Sequence, residues 1–261
     1  MYKIGVILRK EWLELRQDRT LLFSTLLPPV ILTLMPIGVA FALRGTPDSD
    51  TAKLGIVLAD PSLAGLSNAE LGQAVFGKQF SLLFLIMPLL IPSIIAAYSI
   101  VGEKSKRTLE PLLAAPLRTS ELLLGKALAA LIPAVAITWV CGAVFVAGMA
   151  WVALSPRVFA AIIGPAWLIL LLICSPLLAL IAIDASVAIS SRVNDPRTAQ
   201  QLSGVAVVPI LVIFFGQLAG LLVFSPALSL ITAAVLALVA ALATWGAARL
   251  FRREVILTKW T

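Results

Sequence analysis

The sequence predicts an all-α polytopic membrane protein with six transmembrane helices. Three observations carry that fold class. Of 261 residues, 61% are hydrophobic and 13% are charged, whereas soluble domains average about 45–50% apolar and roughly 25% charged. A water-soluble core cannot absorb the excess. Charge-free runs of spanning length recur along the chain, and the basic residues between them are unevenly shared.

A spanning helix needs about 20 apolar residues. The runs 21–43, 80–101, 127–150 and 158–183 meet that length, the last running into Asp184. From Thr198 to Ala248 there is no charge over 51 residues, too long for one crossing. "GQLAGLLVFSP", Gly216–Pro226, supplies a break, giving spans near 202–224 and 227–248. A tight turn is sufficient for that break. The prolines of the first two spans, Pro28, Pro29, Pro36, Pro88 and Pro92, read as kinks whose freed carbonyls find other partners.

Orientation follows from the loops. With the N-terminus inside, cytoplasmic segments hold 16 of the 20 Lys and Arg. The reverse orientation violates the positive-inside rule. Both termini are therefore expected in the cytoplasm, with 44–79 as the extracytoplasmic loop and 102–126 as a cytoplasmic segment. Within the outer loop, "AKLGIVLADPSL" reads as a short strand and a turn. The whole chain, 1–261, reads as a single transmembrane domain.

Residues 1–20 do not read as a secretory signal, because five basic and three acidic residues precede any long apolar run. Ile4, Ile7, Leu8, Trp12 and Leu15 follow helical spacing, with Lys3, Arg9, Lys10, Glu14 and Arg16 elsewhere around the helix. This predicts an amphipathic helix at the membrane surface.

Several functions are disfavoured. Histidine is absent, which removes the commonest general base and zinc ligand. Cys141 and Cys174 both sit in apolar runs and read as packed thiols. No aromatic-and-basic stripe suggests a nucleic-acid surface. "GQAVFGKQ", Gly72–Gln79, matches G-x-x-x-x-G-K, but Gln79 stands where a phosphate loop needs Ser or Thr. No parallel-sheet strand precedes it. The chain is therefore not expected to bind or hydrolyse ATP itself.

"GEKSKRTLEPLLAAPLRTSELLLGK", residues 102–126, is the most informative stretch. Leu109, Leu112 and Leu113 share one helical face, Pro111 suits a first helical turn, and Pro116 ends the element. Thr119 can cap the helix that follows, with Glu121 in its first turn. A short cytoplasmic helix with a leucine face has two fates, the headgroup zone or a groove on a partner. Burying each leucine contributes roughly 1.5–3 kcal/mol before ordering costs.

The segment resembles the coupling region of permease subunits of type-2 ABC exporters, the group that includes sodium-extrusion and drug-exporting permeases. Glu103, Thr108, Leu109, Glu110, Leu112, Leu113, Pro116, Gly125 and Lys126 match the family's loose pattern. Arg107 stands where the family commonly has glycine. The start, "RKEWLELRQDRTLLFSTLLPP", resembles the family's Lys-Glu pair followed by Asp-Arg ahead of the first span.

The resemblance implies a division of labour. This chain would be an exporter's permease in a prokaryotic cytoplasmic membrane. A second permease copy, as a homodimer, would complete the core, and two cytoplasmic ABC ATPase subunits would carry ATP and Mg. Glu103–Pro116 would couple the ATPases to the spans. The resemblance also implies that Gly216–Pro226 is re-entrant rather than a simple turn.

Asp184 is the acidic residue embedded in a long apolar stretch. Such a group marks either a pathway or a paired partner. The structural reading pairs it with a cytoplasmic Arg or Lys, or with the N-terminal helix. The alternative makes it the centre of an ion-coupled secondary transporter.

Overall fold

The computed structural model describes residues 2–45, 63, 65–105, 119–190, 196–218 and 225–250. Among these residues the chain is helical, with no strand. The strand and turn expected in 52–63 lie outside the described residues, Leu63 excepted.

Asp18 separates the first two helices. α1 spans Tyr2–Gln17 and α2 spans Arg19–Ala42. The Asp18 carboxylate accepts the Leu21 N–H at 3.1 Å, capping α2 where its first N–H groups lack helical partners. α2 carries Pro28, Pro29 and Pro36 without a break. Thr25 and Thr33 donate their hydroxyls to the carbonyls of Leu21 and Pro29, each at 2.7 Å.

The second span starts earlier than its charge-free run. α3 covers Asn68–Leu82 and passes through a 3₁₀ turn, Leu83–Ile86, into α4, Met87–Ser105. Ser67 and Glu70 form a reciprocal capping box at its start, which satisfies two end donors at once. The polar residues Gln73 and Gln79 are buried in α3 with carbonyl partners. A criterion based on charge places this helix start in the loop, because polarity satisfied through tertiary bonds looks like polarity facing water.

α5 is the long helix Thr119–Val152. α6, Pro156–Ile162, and α7, Pro165–Ile169, are joined through Ile163 and Gly164. A π turn, Leu170–Cys174, leads into α8, Ser175–Ser190. α9, Pro196–Ser203, and a 3₁₀ turn, Gly204–Val207, precede α10, Val208–Leu218. α11 is Pro226–Leu250.

Three irregular turns share one cause. Pro88, Pro176 and Pro209 each stand two residues beyond a non-α turn. A proline lacks the N–H that would bond the carbonyl four residues back. Ahead of Pro88, the Phe84 carbonyl is taken by Met87 N–H instead. Ahead of Pro209, the Val205 carbonyl is taken by Val208 N–H. Ahead of Pro176 the helix widens, and Ser175 N–H bonds Leu170. The Leu171 carbonyl there accepts Trp139 Nε1–H at 3.1 Å and the Ser175 hydroxyl.

Among the described residues, five helical stretches are long and apolar enough to cross a membrane: Arg19–Ala42, Asn68–Ala96, Leu124–Val152, Pro156–Ile189 and Pro226–Ala247. The expected fifth span appears as the shorter apolar stretch Gln201–Gly216. It runs through the 3₁₀ turn Gly204–Val207, and residues 219–224 lie outside the described set. Asn68–Ala96 is the most enclosed of the five and Pro226–Ala247 the least. Phe84, Phe145 and Trp167 meet there with ring centroids 4.9–5.9 Å apart.

Candidate functional site: a buried knot between α1, α4 and α5

α1 docks on α5 through three contacts. Ile7 is buried against Gly125. A Cβ at Gly125 would lie 2.9 Å from Ile7 Cγ2, closer than side chains tolerate, so the glycine permits the approach. Trp12 Nε1–H donates to the Ala129 carbonyl at 3.2 Å. Between these two contacts, Glu11 Oε1 lies 3.1 Å from Lys126 Nζ.

Both partners of that ion pair are buried, Glu11 at 6% and Lys126 at 7% exposure. Lys126 Nζ also donates to Ser99 Oγ at 2.8 Å and to the Ser99 carbonyl at 3.2 Å. Lys10 joins from the rim, 3.5 Å from Glu11 and 3.2 Å from Glu14. Burial pushes the Glu11 carboxyl up, but the Lys126 charge, the Ser99 hydroxyl and Lys10 outweigh it, so its pKa is lowered. The pair is a charged, hydrogen-bonded knot linking α1, α4 and α5.

The knot brackets the segment that the sequence singles out. Glu103 lies in the last turn of α4, and α5 begins at Thr119 with Glu121 in its first turn. Thr108, Leu109, Glu110, Leu112, Leu113 and Pro116 lie outside the described residues. In sequence, Ser99 of α4 precedes Thr108 by nine residues and Lys126 of α5 follows Pro116 by ten.

The structure joins two motifs that sequence reasoning kept apart. Glu11 comes from the Lys-Glu pair of the N-terminus, and Lys126 ends the 102–126 segment. Glu11 was missed as a site residue, although a signal for it existed. It lies four residues from both Ile7 and Leu15, on the face otherwise apolar. A carboxylate on an apolar face calls for a buried cation. Ser99 carries no such signal.

Asp184 lies on α8, where Thr244 of α11 donates its hydroxyl to Oδ2 at 2.7 Å. The structure does not bring Asp184 to the Glu11–Lys126 knot. Nearby on α8, buried Ser186 bonds Ser203 at 3.1 Å, tying α8 to α9.

The opposite end of α5 is held by a second polar cluster. Gln73 is fully buried. Its Nε2 donates to the carbonyls of Ala40, 2.8 Å, and Val152, 3.1 Å. Arg44 donates to the Val152 and Trp151 carbonyls, each at 2.6 Å. These are end carbonyls of a helix, where a cation is also favoured by the helix dipole.

"GQAVFGKQ" lies inside α3, so it forms no loop that could wrap a phosphate. Among the described residues no group of three or more Cys, Asp or Glu is placed to hold a metal.

Residues 6–232 match the family model described as ABC-2 family transporter protein. No curated protein sequence matches the chain.

Proposed function

We propose a function from one premise: the chain belongs to the ABC-2 transporter family, whose model covers residues 6–232. It is a multi-pass membrane protein and an ABC transporter permease. Our reading goes further and makes it the permease of an exporter, powered by a separate cytoplasmic ATPase that holds ATP and Mg. Two copies of this chain and two of the ATPase make the complex, in a prokaryotic cytoplasmic membrane.

One observation carries the reading. Residues 106–118 link α4 to α5 in sequence, and the Ser99–Lys126 hydrogen bonds hold those two helices together. A segment mounted on a braced pair of spans is suited to receive force from a partner. The spacing of Leu109, Leu112 and Leu113 in the sequence would supply an apolar docking face if that segment is helical. The uneven sharing of Lys and Arg puts this end of the molecule in the cytoplasm, with Gln201–Gly216 as part of a sixth crossing. α1 then lies along the inner membrane surface, with Val6, Trp12 and Leu13 exposed to lipid.

Asp184 has a modest part in this reading. Its partner among the described residues is the neutral Thr244, which makes it a tie between α8 and α11.

The test is affinity purification of tagged protein from its native host in nanodiscs, with mass spectrometry of what accompanies it. An ATP-binding protein is expected with wild type and is expected to be lost from a folded Leu109→Asp, Leu112→Asp variant. Absence of any ATPase from the wild-type preparation would sink the reading.

A further inference from the structure

A small cavity lies inside the bundle where the second and fourth spans meet. Ser81, Phe84 and Leu85 line it from the end of α3 and the 3₁₀ turn that follows. Trp167, Leu171 and Ser175 line it from α7, the π turn and the start of α8. No charged side chain lines it among the described residues. The indoles of Trp12 and Trp139 donate to backbone carbonyls. That of Trp167, only 4% exposed, has no hydrogen-bond acceptor among the described residues. A buried donor left unpaired costs free energy and calls for an explanation. Ser81 and Ser175 are buried beside it and supply the complement. Their hydroxyl protons are committed to the carbonyls of Lys78, at 2.7 Å, and Leu171, which leaves their oxygens as acceptors. The cavity therefore offers one donor and two acceptors within an apolar and aromatic wall, the composition of a small-molecule site.

We propose that this cavity binds the hydroxyl end of an uncharged, apolar molecule, an alcohol or a phenol. The ligand oxygen takes the Trp167 N–H, and the ligand proton goes to Ser81 Oγ or Ser175 Oγ. A carboxylate or an ammonium group is disfavoured, because an ion inside a buried wall without a counter-charge is costly. As a cargo site the inference rests on the permease reading above, and it names the cargo as a neutral amphiphile. The cavity is narrow and has no room for a water-sized body until a side chain moves. Its walls are the part of the bundle best able to give. They belong to two irregular turns, each set by a proline, Pro88 or Pro176, and π turns inside helices often mark functional sites. Leu85 and Leu171, one from each turn, are the flexible side chains a ligand would displace.

The experiment uses the full chain in nanodiscs and octanol bearing a photoreactive diazirine, with adducts located by peptide mass spectrometry. Adducts are expected within residues 81–85 or 167–175, and plain octanol, but not octanoate, is expected to compete. The methyl ether of the probe has no proton for a serine and is expected to label about fivefold less there. Trp167→Phe and Ser175→Ala are expected to lower labelling by the parent probe to a similar degree. Because Trp167→Phe also removes an unpaired donor, its melting temperature without probe is expected to equal or exceed that of wild type. A variant that melts lower and labels as wild type shows Trp167 to be structural only and overturns the proposal. Equal labelling by the ether, competition by octanoate, or adducts confined to lipid-facing residues overturns it too. Should Trp167→Phe fail to fold, Ser81→Ala with Ser175→Ala decides the matter, and unchanged labelling there overturns it. Labelling needs no ATPase, so its failure leaves the ATPase reading standing. A wild-type preparation without ATPase removes the cargo role and leaves the binding result intact.

Discussion

Gln73 Oε1 accepts the backbone N–H of Leu154 at 2.8 Å, across 81 residues of sequence. The same side chain donates to Ala40 and Val152. One fully buried amide thereby joins the ends of α2 and α5 to the start of α3. Gln73→Leu keeps the volume and removes all three bonds. It is expected to cost about 2–4 kcal/mol, because backbone groups are left without partners in an apolar surround. Thermal unfolding in detergent measures it, and a loss below half a kcal/mol would show that the clasp is incidental.

Gly77 packs against Ile162, joining α3 to α6. A Cβ at Gly77 would lie 2.3 Å from Ile162 Cδ1 and 2.7 Å from Cγ1. Gly77→Val is expected to destabilise by about 1–3 kcal/mol through overpacking. In an Ile162→Ala background the same change is expected to cost at least about 1 kcal/mol less, since the two residues share one space. Equal costs in both backgrounds would remove steric contact as the cause.

Asp184 and Thr244 are held by one hydrogen bond. Thr244→Val is expected to lose roughly 0.6–1.7 kcal/mol, the range for side-chain bonds between membrane helices. Asp184→Asn retains an acceptor and is expected to melt close to wild type. A collapse of Asp184→Asn, with Thr244→Val unaffected, would instead indicate a required negative charge.

The Glu11 carboxyl carries a pH signature. Its pKa is lowered in the folded protein, because Lys126, Ser99 and Lys10 together outweigh the cost of its burial. A lowered carboxylate contributes stability that is fully present above its unfolded value and lost as pH falls through the folded one. The melting-temperature gap between wild type and Glu11→Gln is therefore expected to be constant from neutrality down to about pH 4.3, then to close below it. A gap that widens on acidification would contradict the ion pair.

The prolines and glycines were legible as types but not as roles. Pro88 was read as a kink, and its chemistry explains the 3₁₀ turn before it. That Pro176 and Pro209 repeat the same register emerges only from the hydrogen bonds. Glycines in apolar runs look alike, yet Gly77, Gly125, Gly142 and Gly148 each lie where a Cβ would meet a side-chain carbon of another helix within 2.9 Å.

The sequence by itself determined the helical membrane class and the family resemblance carried by residues 102–126. The class depends on local composition, which a bilayer imposes directly: a span must be apolar over its length wherever its partners are. The same requirement hides the partners. Lipid-facing and protein-facing sides are both apolar, so periodicity no longer separates them, as the long charge-free α5 illustrates. Tertiary structure alone decided that Glu11 meets Lys126 and Ser99, that Gln73 joins three helix ends, and that Asp184 meets a hydroxyl. Those pairings lie 27 to 115 residues apart. Their physical reason is common to all: a polar group withdrawn from water must find a specific partner through space.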